Sequence, residues 1–101
     1  MGSNTMVITF PKNEWTNIKA RFNGGKIVWT VRVGNGYGKF REGDILKTEW
    51  GSQVKILSVK RIEGGIKELE NQYEHFNELT EDMIKELSGY DEMEIITLKA
   101  I

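Results

Sequence analysis

The sequence predicts one small α+β domain: a barrel or strongly curled sheet of mostly antiparallel strands with flanking helices. Three observations carry that expectation. Short runs of β-branched and aromatic residues recur along the chain, joined by glycine-containing turns. Helical periodicity is confined to three separate stretches. With 101 residues there is material for one core, and the last apolar run must pair with an earlier strand to hide its edge.

Residues 1–5 read as a tag or disordered lead, with Met6 as a native start and residues 6–101 as the domain. Val7-Ile8-Thr9-Phe10 is a short strand that Pro11 ends. From Pro11 to Phe22 the residues Trp15, Ile18 and Phe22 form a helical stripe, and Asn23-Gly24-Gly25 stops it. Lys26 to Val33 is a strand. Alternation turns Ile27, Trp29, Val31 and Val33 to the core and leaves Val28, Thr30 and Arg32 on the other face.

Gly34-Asn35-Gly36-Tyr37-Gly38 is a loop with one aromatic residue, and no Lys-Ser/Thr follows to make it a phosphate loop. Arg41-Glu42-Gly43-Asp44 is a turn in which Asp44 accepts backbone N–H groups. Ile45–Trp50 and Val54–Ile62, joined by Gly51-Ser52-Gln53, form a hairpin. Parity along the second arm puts Lys55 and Arg61 on one face. Gly64-Gly65 then opens a helix over 66–76, and Thr80 caps another that ends at Ser88-Gly89. Glu94–Ile101 is a closing strand. The order is β-α-β-β-β-α-α-β.

Cysteine is absent and histidine occurs once, which excludes a disulfide framework, a thiolate metal site and a two-histidine relay. No metal or cofactor is expected. No apolar run approaches membrane-spanning length and no signal-peptide core is present, so the expected location is cytoplasmic, without a membrane partner. Charge is divided: residues 1–61 hold 11 basic and 4 acidic side chains, residues 62–101 hold 3 and 11. Such asymmetry suits an anionic partner for the basic part. The acidic run from Glu68 to Glu94 reads as a solvated helical face.

Gly24-Gly25-Lys26, Thr30-Val31-Arg32 and Phe40-Arg41-Glu42-Gly43-Asp44-Ile45-Leu46, followed by a helix pair and a terminal strand, resemble the ASCH family of the PUA-like superfamily. The resemblance covers Trp15 to the end. It implies a small PUA-like β-barrel whose basic cleft binds RNA, a nucleotide or a modified nucleoside. It also implies an alternative, because small single-domain relatives include amidohydrolases that deacylate N4-acetylcytidine with a lysine, a threonine and a glutamate. Carried over by motif, these are Lys26, Thr30 and Glu74, with Glu78 the other candidate for the carboxylate. The family pattern has lysine three residues before the threonine, where this chain has Ile27.

For binding, the candidate residues are Lys26, Thr30, Arg32, Tyr37, Lys39 and Arg41. A basic pair beside an aromatic ring can hold a phosphate while the ring stacks on a base, and a guanidinium grips phosphate with two nitrogens. For catalysis, a hydroxyl nucleophile needs a base within reach. Lys26 and Thr30 are about 13 Å apart along a straight strand, which favours binding. The tryptophans read as core, with Trp50 at a strand end able to line a mouth, and His75 reads as a helix-end residue.

Overall fold

In the computed structural model, residues 6–101 are described; residues 1–5, expected to be a tag or lead, lie outside the described residues. The element order is the one the sequence predicts: β1 (Val7–Ile8), α1 (Trp15–Asn23), β2 (Val28–Arg32), β3 (Ile45–Thr48), β4 (Gln53–Glu63), α2 (Ile66–Gln72), α3 (Glu81–Leu87) and β5 (Glu92–Ala100). Single 3-10 turns lie at Lys12–Glu14, Gly34–Gly36 and Phe76–Glu78. The strands make one mixed sheet in the order β1-β3-β4-β5-β2, antiparallel except for the β1–β3 pair. None of the described helices is long and apolar enough to cross a membrane.

The terminal strand was expected to pair with an earlier strand and close the structure, and it does pair, with both β4 and β2. It occupies the interior of the sheet, between those two strands. Its six consecutive buried residues, Met93 to Leu98, explain the position: both faces are covered, which only an interior strand can use. No ladder joins β1 to β2 among the described residues, so the sheet is open. It is nevertheless curled. A flat five-stranded sheet separates its outer strands by about 19 Å. Here Arg32, at the end of β2, donates from Nη2 to the carbonyl of Thr9, just beyond β1, at 2.8 Å.

The two faces carry two cores. The inner face packs Ile8, Leu46, Val54, Ile56, Ile96 and Leu98 against Phe10, Phe22 of α1 and Phe40. The outer face packs Ile62, Met93 and Ile95 against Leu69, Tyr73 and Leu87, with Trp29 and Val31 alongside. Trp15 and Trp50 join the inner core at 5.3 Å between rings, and Lys19 lies over both. Trp50 is therefore packing rather than the rim of a mouth.

Three local expectations change. Ile27 is 43% exposed, because the regular strand begins only at Val28, which is itself buried in the inner core. The helix over 66–76 stops at Gln72, and the chain turns through Tyr73 instead. Lys55 and Arg61 lie on opposite faces. The ladder to β5 skips Leu57, pairing Ile56 with Leu98 and Ser58 with Thr97, and that extra residue inverts parity beyond it.

Other expectations hold. Thr80 Oγ1 accepts from the Met83 N–H at 3.2 Å, capping α3. Asp44 accepts from the Arg41 N–H at 3.0 Å. Gly64 and Gly65 both have positive φ, 109° and 75°, which lets their amides converge on the Asp91 carbonyl and seat α2 beside β5.

Glu94 is the charged residue buried in the sheet. Its neighbours in the ladders are Arg32 on one side and Arg61 on the other. One oxygen accepts the Gly38 N–H at 2.6 Å and the other faces Arg61 Nε at 3.4 Å. The carboxylate thus fixes the end of the glycine-rich loop. In Glu94→Ala the Gly38 amide loses its acceptor, so its hydrogen exchange, followed by NMR, accelerates at least about tenfold. Unchanged protection at Gly38 would refute this role.

Candidate functional site

The opening between the two outer strands is an open cleft of about 970 Å³. Every residue from Val28 to Val33 lines it, from both faces of β2, because an edge strand presents its whole length to the seam. Thr9, Phe10 and α1 form one wall. Tyr73, His75, Glu78 and α3 form the other, and Asn35, Gly36 and Lys39 lie at the loop side.

Arg32 holds this seam. Besides donating to Thr9, its guanidinium lies over the Phe10 ring at 5.2 Å. Burial lowers its pKa, and the nearby carboxylates of Glu14 and Glu49 act in the opposite direction. Glu49 itself accepts the Phe10 N–H at 2.8 Å, so it orders the same segment without an ion pair to Arg32. Arg32 Nε is buried without a partner among the described residues.

Across the cleft, three rings meet. Trp29 lies 4.9 Å from His75 and 6.2 Å from Tyr73, and His75 lies 5.8 Å from Tyr73. His75 Nδ1 is hydrogen-bonded to Glu78, which also pairs with Arg21 of α1 at 3.3 Å. That pair ties the two walls together. The contact with His75 is the main reason the Glu78 carboxyl sits below the usual carboxylate range. Burial, reinforced by the charge of Glu78, pushes the Tyr73 phenol up to about 12.

Of the residues singled out in the sequence, Thr30, Arg32 and Lys39 line the cleft, and so does Glu78. Lys26, Tyr37, Arg41 and Glu74 are outside its lining. Lys26 and Glu74 are exposed. Tyr37 lies under the Arg61 guanidinium at 5.7 Å, on a shallow hollow shared with Gly34 and Tyr90. The cleft therefore gathers Thr30 but neither Lys26 nor Glu74. The hydroxyl of Thr30 makes no hydrogen bond among the described residues. The cleft is also less basic than expected: Arg21, Arg32 and Lys39 are matched by Glu14, Glu78 and Glu86.

Tyr73, His75 and Arg21 were not among the residues the sequence singled out for this site. The premature end of α2 carries Tyr73 and His75 round to Trp29, and no glycine or proline marks that break. Comparison of the chain with family models, with curated proteins and with solved structures finds no match in any of the three.

The shifted phenol predicts an alkaline limit to stability. Unfolded tyrosine ionises near 10 and Tyr73 in the fold at about 12. Between those values the unfolded chain has lost a proton that the folded chain keeps, so stability is whole below pH 10 and falls as pH rises toward 12. The loss reaches about 2–3 kcal/mol. Urea titrations at pH 9 and pH 11 should show this component in the wild type and its absence in Tyr73→Phe; equal pH slopes in the two proteins would contradict it.

Proposed function

We propose that the cleft binds a nucleotide, free or within RNA, as a domain of the ASCH/PUA-like kind. On this reading the curled sheet is a variant of the PUA-like barrel whose last seam is bridged by Arg32 instead of a ladder. One observation carries the proposal: an aromatic group of Trp29, Tyr73 and His75 shares one cleft with Arg32 and Lys39. A planar base finds a stacking surface there. Lys39, exposed at the loop side, offers donors to a phosphate, and the Arg32 guanidinium adds positive charge in the same cleft.

The balance of charge in the cleft suits one nucleotide better than a long polyanion. Lys39, in no ion pair among the described residues, can meet a phosphate, Arg21 and Arg32 add positive charge from their pairings with Glu78 and Thr9, and Glu14 is an acceptor for the N–H groups of a base. The deacylation alternative draws less support. Thr30 presents an unbonded hydroxyl, yet Lys26 and Glu74 do not line the space in front of it. Glu78, the other candidate carboxylate, does line the cleft, but it is already held by His75 and Arg21, and a threonine needs a base within reach to be a good nucleophile.

Titration with cytidine monophosphate, read by tryptophan fluorescence, tests the reading. Binding should be saturable, and Trp29→Ala should weaken it at least about tenfold, the loss expected of a stacked base. Lys39→Ala should weaken the monophosphate more than cytidine. N4-acetylcytidine should come back intact from incubation. No response to the monophosphate up to about 10 mM would overturn nucleotide binding, and release of cytidine would replace binding by catalysis.

A further inference from the structure

The outer face of the sheet is only half covered. α2, α3 and the segment between them cover the end that carries Ile62, Met93 and Ile95. None of the described helices lies over the other end. Its cross-strand rows can be read from the ladders: Val7 opposite Lys47 and Lys47 opposite Gln53, then Ile45 opposite Lys55 and Lys55 opposite Lys99. Beyond the bulge at Leu57, Lys60 returns to this same face, opposite Ile95.

Lys47, Lys55, Lys60 and Lys99 are all exposed, and none is in an ion pair among the described residues. The strand residues on this face include no Asp or Glu, since Glu63, Glu92 and Glu94 have the opposite parity. Lys55 and Lys99 stand directly across from each other on neighbouring strands. Like charges so placed repel and weaken the sheet. The chain holds more acidic than basic residues overall, 15 against 14, so this concentration is a matter of placement.

The face is continuous with the cleft. Val7 lines the cleft and is also the strand neighbour of Lys47. A chain of phosphates leaving the seam over β1 meets Lys47 first, then Lys55 and Lys99 one and two strands farther on. We infer that this lysine face holds the phosphate backbone of single-stranded RNA that continues out of the cleft. The inference rests on the nucleotide reading of the cleft and extends it from one nucleotide to a strand. It also separates two tasks: the mixed-charge cleft takes a base and its phosphate, and the purely cationic face takes the polymer. Such contacts release counterions, so they carry the salt dependence of binding.

Two probes separate the face from the cleft: a labelled 12-residue oligouridylate and cytidine monophosphate. Lys55→Glu is the informative change, because it places a carboxylate opposite Lys99 and so raises the melting temperature; weaker binding then cannot be attributed to unfolding. Lys55→Glu together with Lys47→Glu should weaken the oligonucleotide about tenfold or more at low salt and flatten the log–log salt dependence by about 0.7 per lysine lost. Binding of the monophosphate should not change. Oligonucleotide affinity unaffected by the substitutions would overturn the inference while leaving the cleft reading intact. Lysine-dependent oligonucleotide binding with no response to the monophosphate would support the face and refute the cleft. Failure of the wild type to bind either probe would overturn both. A polyglutamate of equal charge binding as tightly, with the same dependence on these lysines, would overturn the assignment to RNA.

Discussion

The arrangement turns on one side chain that bridges two ends of a sheet. A curled five-stranded sheet that stops short of closing leaves two outer strands with unpaired backbone, and β1 contributes only two residues to pair with anything. Arg32 takes up that role. Its long stem crosses the gap, Nη2 reaches the Thr9 carbonyl and the planar head rests on Phe10. The cost is desolvation of a cation and one nitrogen, Nε, left buried and unbonded among the described residues. A lost hydrogen bond of that kind is worth about 1–3 kcal/mol. Glu14 and Glu49 offset part of it through space. A strand ladder would have avoided that cost, but it would also have filled the seam. The cleft exists because a side chain, rather than a ladder, spans the opening.

The second determinant is the buried last strand. Because β5 runs between β4 and β2, its buried residues alternate between two cores, and Glu94 is the one charged residue in the row from Met93 to Leu98. Its carboxylate is offset by the Gly38 amide and by Arg61, which is largely exposed and therefore contributes little as an ion pair. The stronger partner is the amide. Through it the interior strand fixes the loop that leads into Lys39, so a core residue sets one border of the cleft. A single extra residue at Leu57 has a comparable reach: it keeps Ile62 on the outer core and sends Arg61 to Glu94.

Much of the secondary structure was legible. Trp15, Ile18 and Phe22 announced α1, the hairpin followed from its turn, Thr80 marked its helix, and the order of elements came out as read. The site was legible only along β2. Thr30 and Arg32 reach the cleft because alternation along one strand is a local property. Lys26, Tyr37, Arg41 and Glu74 were grouped with them by nearness in sequence or by motif, and their placement depends on where loops travel. The bulge was overlooked rather than hidden. Val54 and Ile56 have even parity and Leu57 and Val59 odd, so the change at Leu57 was in the sequence, but the reading that put Lys55 and Arg61 on one face carried a single parity through it. The last strand was legible in part: its apolar run and its need of an earlier strand to pair with were visible, but not that it pairs on both sides while the sheet stays open.

The division of charge along the chain takes on a different meaning in three dimensions. Residues 1–61 are basic and residues 62–101 acidic, yet the cleft draws on both: Arg21, Arg32 and Lys39 come from the first part, Glu78 and Glu86 from the second. Opposite charges meet there because α1 and α3 flank the same seam. The unmatched positive charge lies elsewhere, on strand positions that no acidic residue shares. A surface ion pair at Lys55 and Lys99 would have needed only one change of residue, and cross-strand pairs of opposite sign favour the sheet. Stability alone therefore does not account for two lysines in that row. On the proposed reading of this face, an external anion turns their repulsion into a joint attraction, and the built concavity next to it is the seam that Arg32 spans.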